Sequence, residues 1–354
     1  MVKGVWRMAA LPTGRRLKWL VVAVWLVIGV AVSPLAFMLS DAQTNDAAAF
    51  LPADAESTRL LEAQRKLPGG DAIVAAVVLA RDEGLTEQDL AAAERLGRRL
   101  EPFSATTPLL SVPAPDGRAV LISIPMPQTS DAHQFTGDVE EMRQIVAEEV
   151  RDLPGLRTSV TGPAGLITDT FDLFIQIEGM LLIVTASIVA IILIVVYRSP
   201  MLWIVPLVCV GVADQTAAGM IYLLAEYADL TVNGQSAGIL RVLVFGAGTD
   251  YALLLIARYR EELSRHADAH DAMRVAIRRA GPAILASAGT VTLGMLCLLL
   301  GELNSHRGLG PVCAIGIVVA LVTMMTLLPA AMLLGGRRLF WPFIPEYGQL
   351  PPAR

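Results

Sequence analysis

Lysine is nearly absent from the 354-residue chain, which has only Lys3, Lys18 and Lys66, and none of the three follows a glycine. A G-x-x-x-x-G-K-[ST] phosphate loop is therefore missing, and with it ATP-driven work of that type. Cysteine is equally scarce. Cys209, Cys297 and Cys313 all lie in apolar stretches, so neither a disulfide framework nor a thiolate metal site is expected. Charged residues make up only 17% of the chain, against about 25% in soluble domains, which argues against an ordinary cytosolic enzyme. No concentrated basic face occurs beyond short runs, so nucleic acid is not an expected partner. The most polar segment, 41–177, has one histidine, His133, and no nucleophile–base or metal constellation. No enzymatic activity and no cofactor are expected.

What the chain has in quantity is apolar surface, 54% of its residues, and charge segregated by position. Residues 41–177 hold 22 acidic and 11 basic side chains, net −11, while the remainder is net +6. A helix crossing about 30 Å of hydrocarbon needs about 20 apolar residues. Four stretches of that kind carry no charge: 19–40, 179–197, 280–301 and 308–336. Two more, 199–225 and 230–257, are apolar except for Asp214 in the first and Arg241 and Asp250 in the second.

The flanks set the expected orientation, because basic residues stay on the cytoplasmic side. Lys3, Arg7, Arg15, Arg16 and Lys18 precede the first span without an acid among them, and six arginines lie between Arg258 and Arg279. Alternation then gives a multi-pass protein of the cell (inner or plasma) membrane with both termini cytoplasmic. The expected division starts with a cytoplasmic N-terminus (1–18), a first span (19–40) and an extracytoplasmic domain (41–177). Spans at 178–197, 201–225 and 234–257 follow, then a cytoplasmic amphipathic connection (258–279). Spans at 280–301 and 308–336 lead to a cytoplasmic tail (337–354). A cleaved signal peptide is the alternative for the first span, but its apolar run is long for a signal core.

Within 41–177, Ala72–Ala80 reads as a buried strand, and Thr86–Leu100 as a helix opened by a threonine cap. A second strand at Ala119–Ile124, a helix around Gly137–Asp152 and a third strand at Arg157–Gly162 follow. The succession is the split βαβ, ferredoxin-like pattern, and a fourth strand is open to placement in the proline-rich stretch Pro102–Pro115.

Ionisable groups inside a bilayer are functional candidates because they are costly there. Asp250 lies about 14 residues into its span, near mid-membrane at 1.5 Å per residue. It sits in Phe245-Gly246-Ala247-Gly248-Thr249-Asp250-Tyr251. Gly246 and Gly248, with Thr249, make a small-residue surface that another helix can approach closely or hinge against. Tyr251 offers a phenolic hydroxyl beside the acid. A carboxyl in low dielectric has its pKa raised, which suits a proton relay; the other reading is a structural carboxyl bonded into helix packing. Asp214 and Arg241 are secondary intramembrane polar residues. They either pair across neighbouring spans or point apart, with Arg241 snorkelling outward. His266 and His270, four apart in a polar stretch, read as a solvated helix face, and Glu178 as an interfacial residue.

With these residues in hand the chain resembles the MMPL (mycobacterial membrane protein large) family of the resistance–nodulation–division (RND) superfamily. The resemblance rests on Thr231-Val232-Asn233-Gly234-Gln235-Ser236, Gly246-Ala247-Gly248-Thr249-Asp250-Tyr251 and Arg258-Tyr259-Arg260-Glu261-Glu262-Leu263. Arg279-Ala280-Gly281-Pro282, Leu303-Asn304-Ser305 and Arg307-Gly308-Leu309-Gly310 complete it. It implies export of lipids or other lipophilic small molecules driven by the proton-motive force, with Asp250 and Tyr251 as the proton relay and 41–177 as a porter-type domain. The fold class it implies is a polytopic α-helical membrane protein of six transmembrane helices, with an α+β ferredoxin-like domain between helices 1 and 2. Family members carry two such halves, each with an Asp–Tyr pair, and this chain matches the N-terminal one. A homodimer or a separately encoded second half is therefore an expected partner. The competing expectation is a non-transporting lipid-sensing or scaffold subunit, or a truncated inactive fragment.

Overall fold

The computed structural model describes residues 14–40, 42–43, 72–127, 132–228 and 230–348, with isolated positions between 55 and 70. Lys3 and Arg7, part of the 41–177 domain's beginning, the last residues of the tail and the side chains of His133 and Glu178 lie outside the described residues. In chain order the helices and strands begin with α1 (Leu17–Phe37), β1 (Ile73–Ala80), α2 (Glu87–Leu100) and β2 (Leu110–Pro113). Then come β3 (Ala119–Met126), α3 (Ala132–Glu149), β4 (Arg157–Thr161) and α4 (Gly162–Tyr197). The chain ends with α5 (Ile204–Tyr227), α6 (Gly234–Arg265), α7 (Ala269–Leu296) and α8 (Asn304–Gly335). Two compact units result, one of Asp54–Ile177 and one of the remaining residues.

In the first unit the four strands lie in the order β2-β3-β1-β4, every neighbouring pair antiparallel. Both helix crossovers therefore join parallel strands with one strand between them. β2, the outer strand beside β3, falls in the proline-rich stretch where a fourth strand was left open. Strand burial has the period of two that a one-sided sheet requires: Ala75, Val77 and Leu79 from β1 and Val120, Ile122 and Ile124 from β3 are buried. Against them lie residues three or four apart on the helices, Ala93, Leu96 and Leu100 from α2 and Phe135, Val139, Met142 and Val146 from α3.

α2 begins at Thr86, as its sequence predicts, through a reciprocal cap. The Asp89 N–H donates to Thr86 Oγ1 at 3.2 Å, and the Thr86 N–H donates to Asp89 Oδ2 at 2.8 Å. Asp89 is fully buried, and the Arg81 guanidinium donates to both its oxygens, at 2.8 and 2.9 Å. Where β4 passes into α4, Gly162 adopts φ of 84°, and a Cβ there would stand 3.0 Å from the Val74 carbonyl and 3.2 Å from Ala76. Only glycine makes that turn without strain.

The second unit contains six helices long and apolar enough to cross a membrane. α5, α6 and α8 are its inner helices, with half or more of their spanning residues buried, whereas α1, the apolar part of α4 and α7 are about one-tenth buried. Without water as a competitor, helices in such a unit are held by close packing of small residues and by interhelical hydrogen bonds. Gly316 of α8 admits Leu240 and Val244 of α6. Trp25 Nε1 donates to Thr326 Oγ1 at 2.9 Å and Lys18 Nζ to the Leu333 carbonyl at 3.0 Å, tying α1 to α8.

Several helices run past the expected span ends. α4 extends back to Gly162, and α8 begins at Asn304 rather than 308. The expected connection 258–279 is mostly the end of α6 and the start of α7, broken only at His266–Asp268. The expected tail is packed at its start: Phe340 is buried, and Ser199 Oγ bridges the carbonyls of Leu339 and Trp341, at 2.8 Å each.

Arg81 and the Thr86 cap hold the Asp89 carboxyl down at about 2. A folded-state pKa below the unfolded value stabilises at neutral pH and is lost as the pH falls through both values. The expected contribution is about 2 kcal/mol, present above pH ~4 and lost between pH ~4 and ~2. Asp89→Asn should remove most of that contribution and flatten the pH dependence. Amide hydrogen exchange across residues 73–100 at neutral and acid pH measures both effects.

Candidate functional site

α6 carries the site, and its start is fixed by a second reciprocal cap. The Ser236 N–H donates to Asn233 Oδ1 at 2.8 Å, and the Asn233 N–H donates to Ser236 Oγ at 3.0 Å. These groups satisfy two of the donors that a helix N-terminus leaves open, as a low-dielectric setting demands. From there α6 has two faces. Leu240, Val244, Gly248, Tyr251, Ala252 and Leu255 are buried in the bundle. Ile239, Val242, Gly246, Asp250, Leu254 and Ala257 recur every three or four residues and are exposed. Asp250 is the one ionisable group in that exposed series between residues 239 and 257.

The two glycines before the acid differ in role. A Cβ on Gly248 would lie 3.0 Å from Val210 of α5 and 3.5 Å from Met324 of α8, so its lack of a side chain is what lets those helices close. Gly246, expected to serve the same purpose, has nothing within 4 Å of its Cβ position and contributes to the open face instead. The buried Thr249 hydroxyl donates to the Phe245 carbonyl of its own helix at 2.5 Å, so it is occupied locally. Consecutive helix residues point about 100° apart. Accordingly, Asp250 faces outward while Tyr251 is only 2% exposed.

The acid and the phenol nevertheless line one cavity of about 520 Å³, walled by α4, α6, α7 and α8. Leu181, Val242, Val291 and Ile317 give it apolar walls. Its polar groups are the Asp250 carboxyl, the Tyr251 hydroxyl and the Ser287 hydroxyl of α7, which stands beside Tyr251. One carboxyl and two hydroxyls are thus gathered in a cavity whose remaining lining is apolar.

The remaining sequence candidates lie elsewhere. Asp214 is buried on α5 and Arg241 half-buried on α6; those helices pack together, but neither residue lines the cavity. His266 Nδ1 is 3.5 Å from Glu262 Oε2, and among the described residues no group of three His, Cys, Asp or Glu is arranged to hold a metal. Sequence reasoning missed two residues. Ser287 is one of three hydroxyl residues in the uncharged run 280–301, with Thr290 and Thr292, and nothing in the sequence sets it apart. Glu262, fully buried at the end of α6, was foreshadowed by its four-residue spacing from Arg258 and His266.

The MMPL family model matches residues 49–349. The chain is 46% identical over 343 residues to the membrane protein ActII-3 of Streptomyces coelicolor, covering 96% of this chain and 48% of that protein. It is 31% identical to the apo-petrobactin exporter of Bacillus anthracis, covering 95% of this chain and 48% of that one. It is 29% identical to the sulfolipid-1 exporter MmpL8 of Mycobacterium tuberculosis, covering 91% of this chain and 31% of that one. The chain thus spans about half the length of the first of these relatives. With a family match over most of its residues and six apolar helices, the chain belongs to the MMPL family, multi-pass membrane proteins of the RND superfamily.

Proposed function

We propose that this chain is one half of an MMPL-type exporter that moves lipids or other lipophilic small molecules at the expense of the proton-motive force. The observation that carries the reading is Asp250, exposed on α6 beside the buried Tyr251 in a cavity that is otherwise apolar but for Ser287. Relatives named as an apo-petrobactin exporter and a sulfolipid-1 exporter support transport as the activity class, and the sulfolipid supports a lipophilic cargo. The basic flanks of the spans support cytoplasmic termini in the cell membrane. The strand order β2-β3-β1-β4 with two helix crossovers supports a ferredoxin-like, porter-type domain at 41–177, outside the membrane.

The working half needs a companion. A carboxyl at mid-membrane depth on an uncovered helix face is costly, so a second copy related by a two-fold axis, or another half, covers α6. In the cycle, a proton from outside neutralises Asp250 and loosens its contacts with the facing half. Packing around Gly248 shifts, the outer domain moves cargo, and release of the proton inward resets the site.

Asp250→Asn is expected to lower proton-coupled export by about a hundredfold or more, the scale of removing a proton-transferring group. Membrane insertion should remain intact. Export in proteoliposomes under an imposed pH gradient measures it, and an unchanged rate would favour a non-transporting subunit. Light scattering or native mass spectrometry of the purified chain should give a dimer. A monomer would point to a separate second half, and co-purification identifies it.

A further inference from the structure

At the far end of α6, where the apolar run gives way to arginine, a second cavity of about 450 Å³ opens between α6 and α7. This volume falls within the range of small-molecule sites, about 300–1,000 Å³. Leu254, Arg258, Arg279, Ala280 and Ala283 line it, so its wall combines two arginines with three apolar residues. Both arginines border uncharged runs, Tyr251–Ala257 and Ala280–Gly301. That places them where hydrocarbon meets headgroups.

The arginines are held by a fully buried carboxylate. Glu262 Oε1 accepts from Arg279 Nη1 at 2.8 Å, with Arg258 Nη2 at 3.3 Å and Arg265 Nη1 at 3.8 Å around the same oxygen. Glu261 pairs with Arg258 and, at 2.8 Å, with Arg265. Three guanidiniums thus share two carboxylates, leaving one positive charge over. Arg258 Nε is buried and makes no hydrogen bond among the described residues. A buried donor and a surplus charge at a low-dielectric boundary both call for an anion.

We propose that this cavity binds the phosphodiester of an anionic phospholipid headgroup, with Arg258 and Arg279 on the phosphate and Leu254, Ala280 and Ala283 against the glycerol and first acyl carbons. A phosphodiester carries one negative charge, which matches the surplus, whereas an inorganic phosphate dianion exceeds it and leaves the apolar wall uncovered. A zwitterionic headgroup brings an ammonium toward the arginines and is disfavoured. Basic pockets between membrane helices hold anionic headgroups by the same forces. This site goes beyond the transport reading and depends only on the chain's spanning a membrane.

The test is native mass spectrometry of the full chain in mild detergent, titrated with phosphatidylglycerol, phosphatidylcholine or inorganic phosphate. One phosphatidylglycerol per protomer is expected to survive, bound about five- to tenfold more tightly than phosphatidylcholine. Millimolar inorganic phosphate should leave it in place. Arg279→Gln should weaken phosphatidylglycerol by about the same factor. Ala283→Leu, on an exposed position of α7 outside the ion cluster, should narrow the cavity and weaken that binding without lowering the melting temperature. Equal retention of the two lipids, or unchanged binding in both variants, would overturn the site, and displacement by inorganic phosphate would overturn lipid as its source. Asp250→Asn should bind phosphatidylglycerol normally, so a failure of the transport reading leaves this result standing.

Discussion

Charge inside hydrocarbon has to be neutralised, hydrated or covered, because an uncompensated carboxylate at helix-centre depth costs about 2.5–3.5 kcal/mol even on the mildest scales. The membrane unit is arranged around that constraint at Asp250. The inner helices α5, α6 and α8 close on one another through Gly248 and Gly316, and the acid is kept out of that closed region. It stands instead on the open side of α6, one turn beyond Gly246, with a cavity rather than a side chain beside it. A proton can reach a carboxyl so placed, and a facing helix can cover it.

The same helix treats its buried carboxylate in the opposite way. Glu262 is wholly enclosed and surrounded by guanidiniums from α6 and α7. A carboxylate so paired holds its surroundings in one geometry. Arg337 extends the arrangement by donating to the His266 carbonyl and the Pro345 carbonyl, at 2.6 Å each. That fastens the break between α6 and α7 to the chain that follows α8. One end of α6 is therefore anchored by paired charges. In the proposed cycle, a change at Asp250 produces directed motion only if the far end of the helix is held.

How far the sequence foretold this depends on which force set each feature. The six spans and the period-two burial of β1 and β3 are local consequences of hydrophobicity, and the chain states them directly. The α2 start at Thr86 is equally local, since its cap lies within three residues. β2 was legible only as an open possibility, because its residues are all exposed and its strand character comes from pairing with β3. Asp250 and Tyr251 stood out as polar exceptions in an apolar run. The division of labour between Gly246 and Gly248 and the nearness of Ser287 were not legible, because each depends on which helix lies across the way. The same holds for Glu262, whose burial among arginines is a property of the α6–α7 packing.

The exposed face of α6 also bears on what can complete the site. From Ile239 to Ala257 it runs about 27 Å at 1.5 Å per residue, close to the hydrocarbon thickness of about 30 Å. A partner that covers only its middle leaves apolar side chains facing lipid at no cost, but it must still reach Asp250. A two-fold axis parallel to the helix preserves depth and brings identical faces together, so each Asp250 stands at the level of the other copy's Asp250. Direct juxtaposition of two carboxylates would be repulsive, and one proton shared between them removes that repulsion. Covering by another half whose residue at that depth is a hydroxyl or a base would remove it without the shared proton. The number of protons bound at the closed interface is thus the physical difference between the two ways of completing this chain.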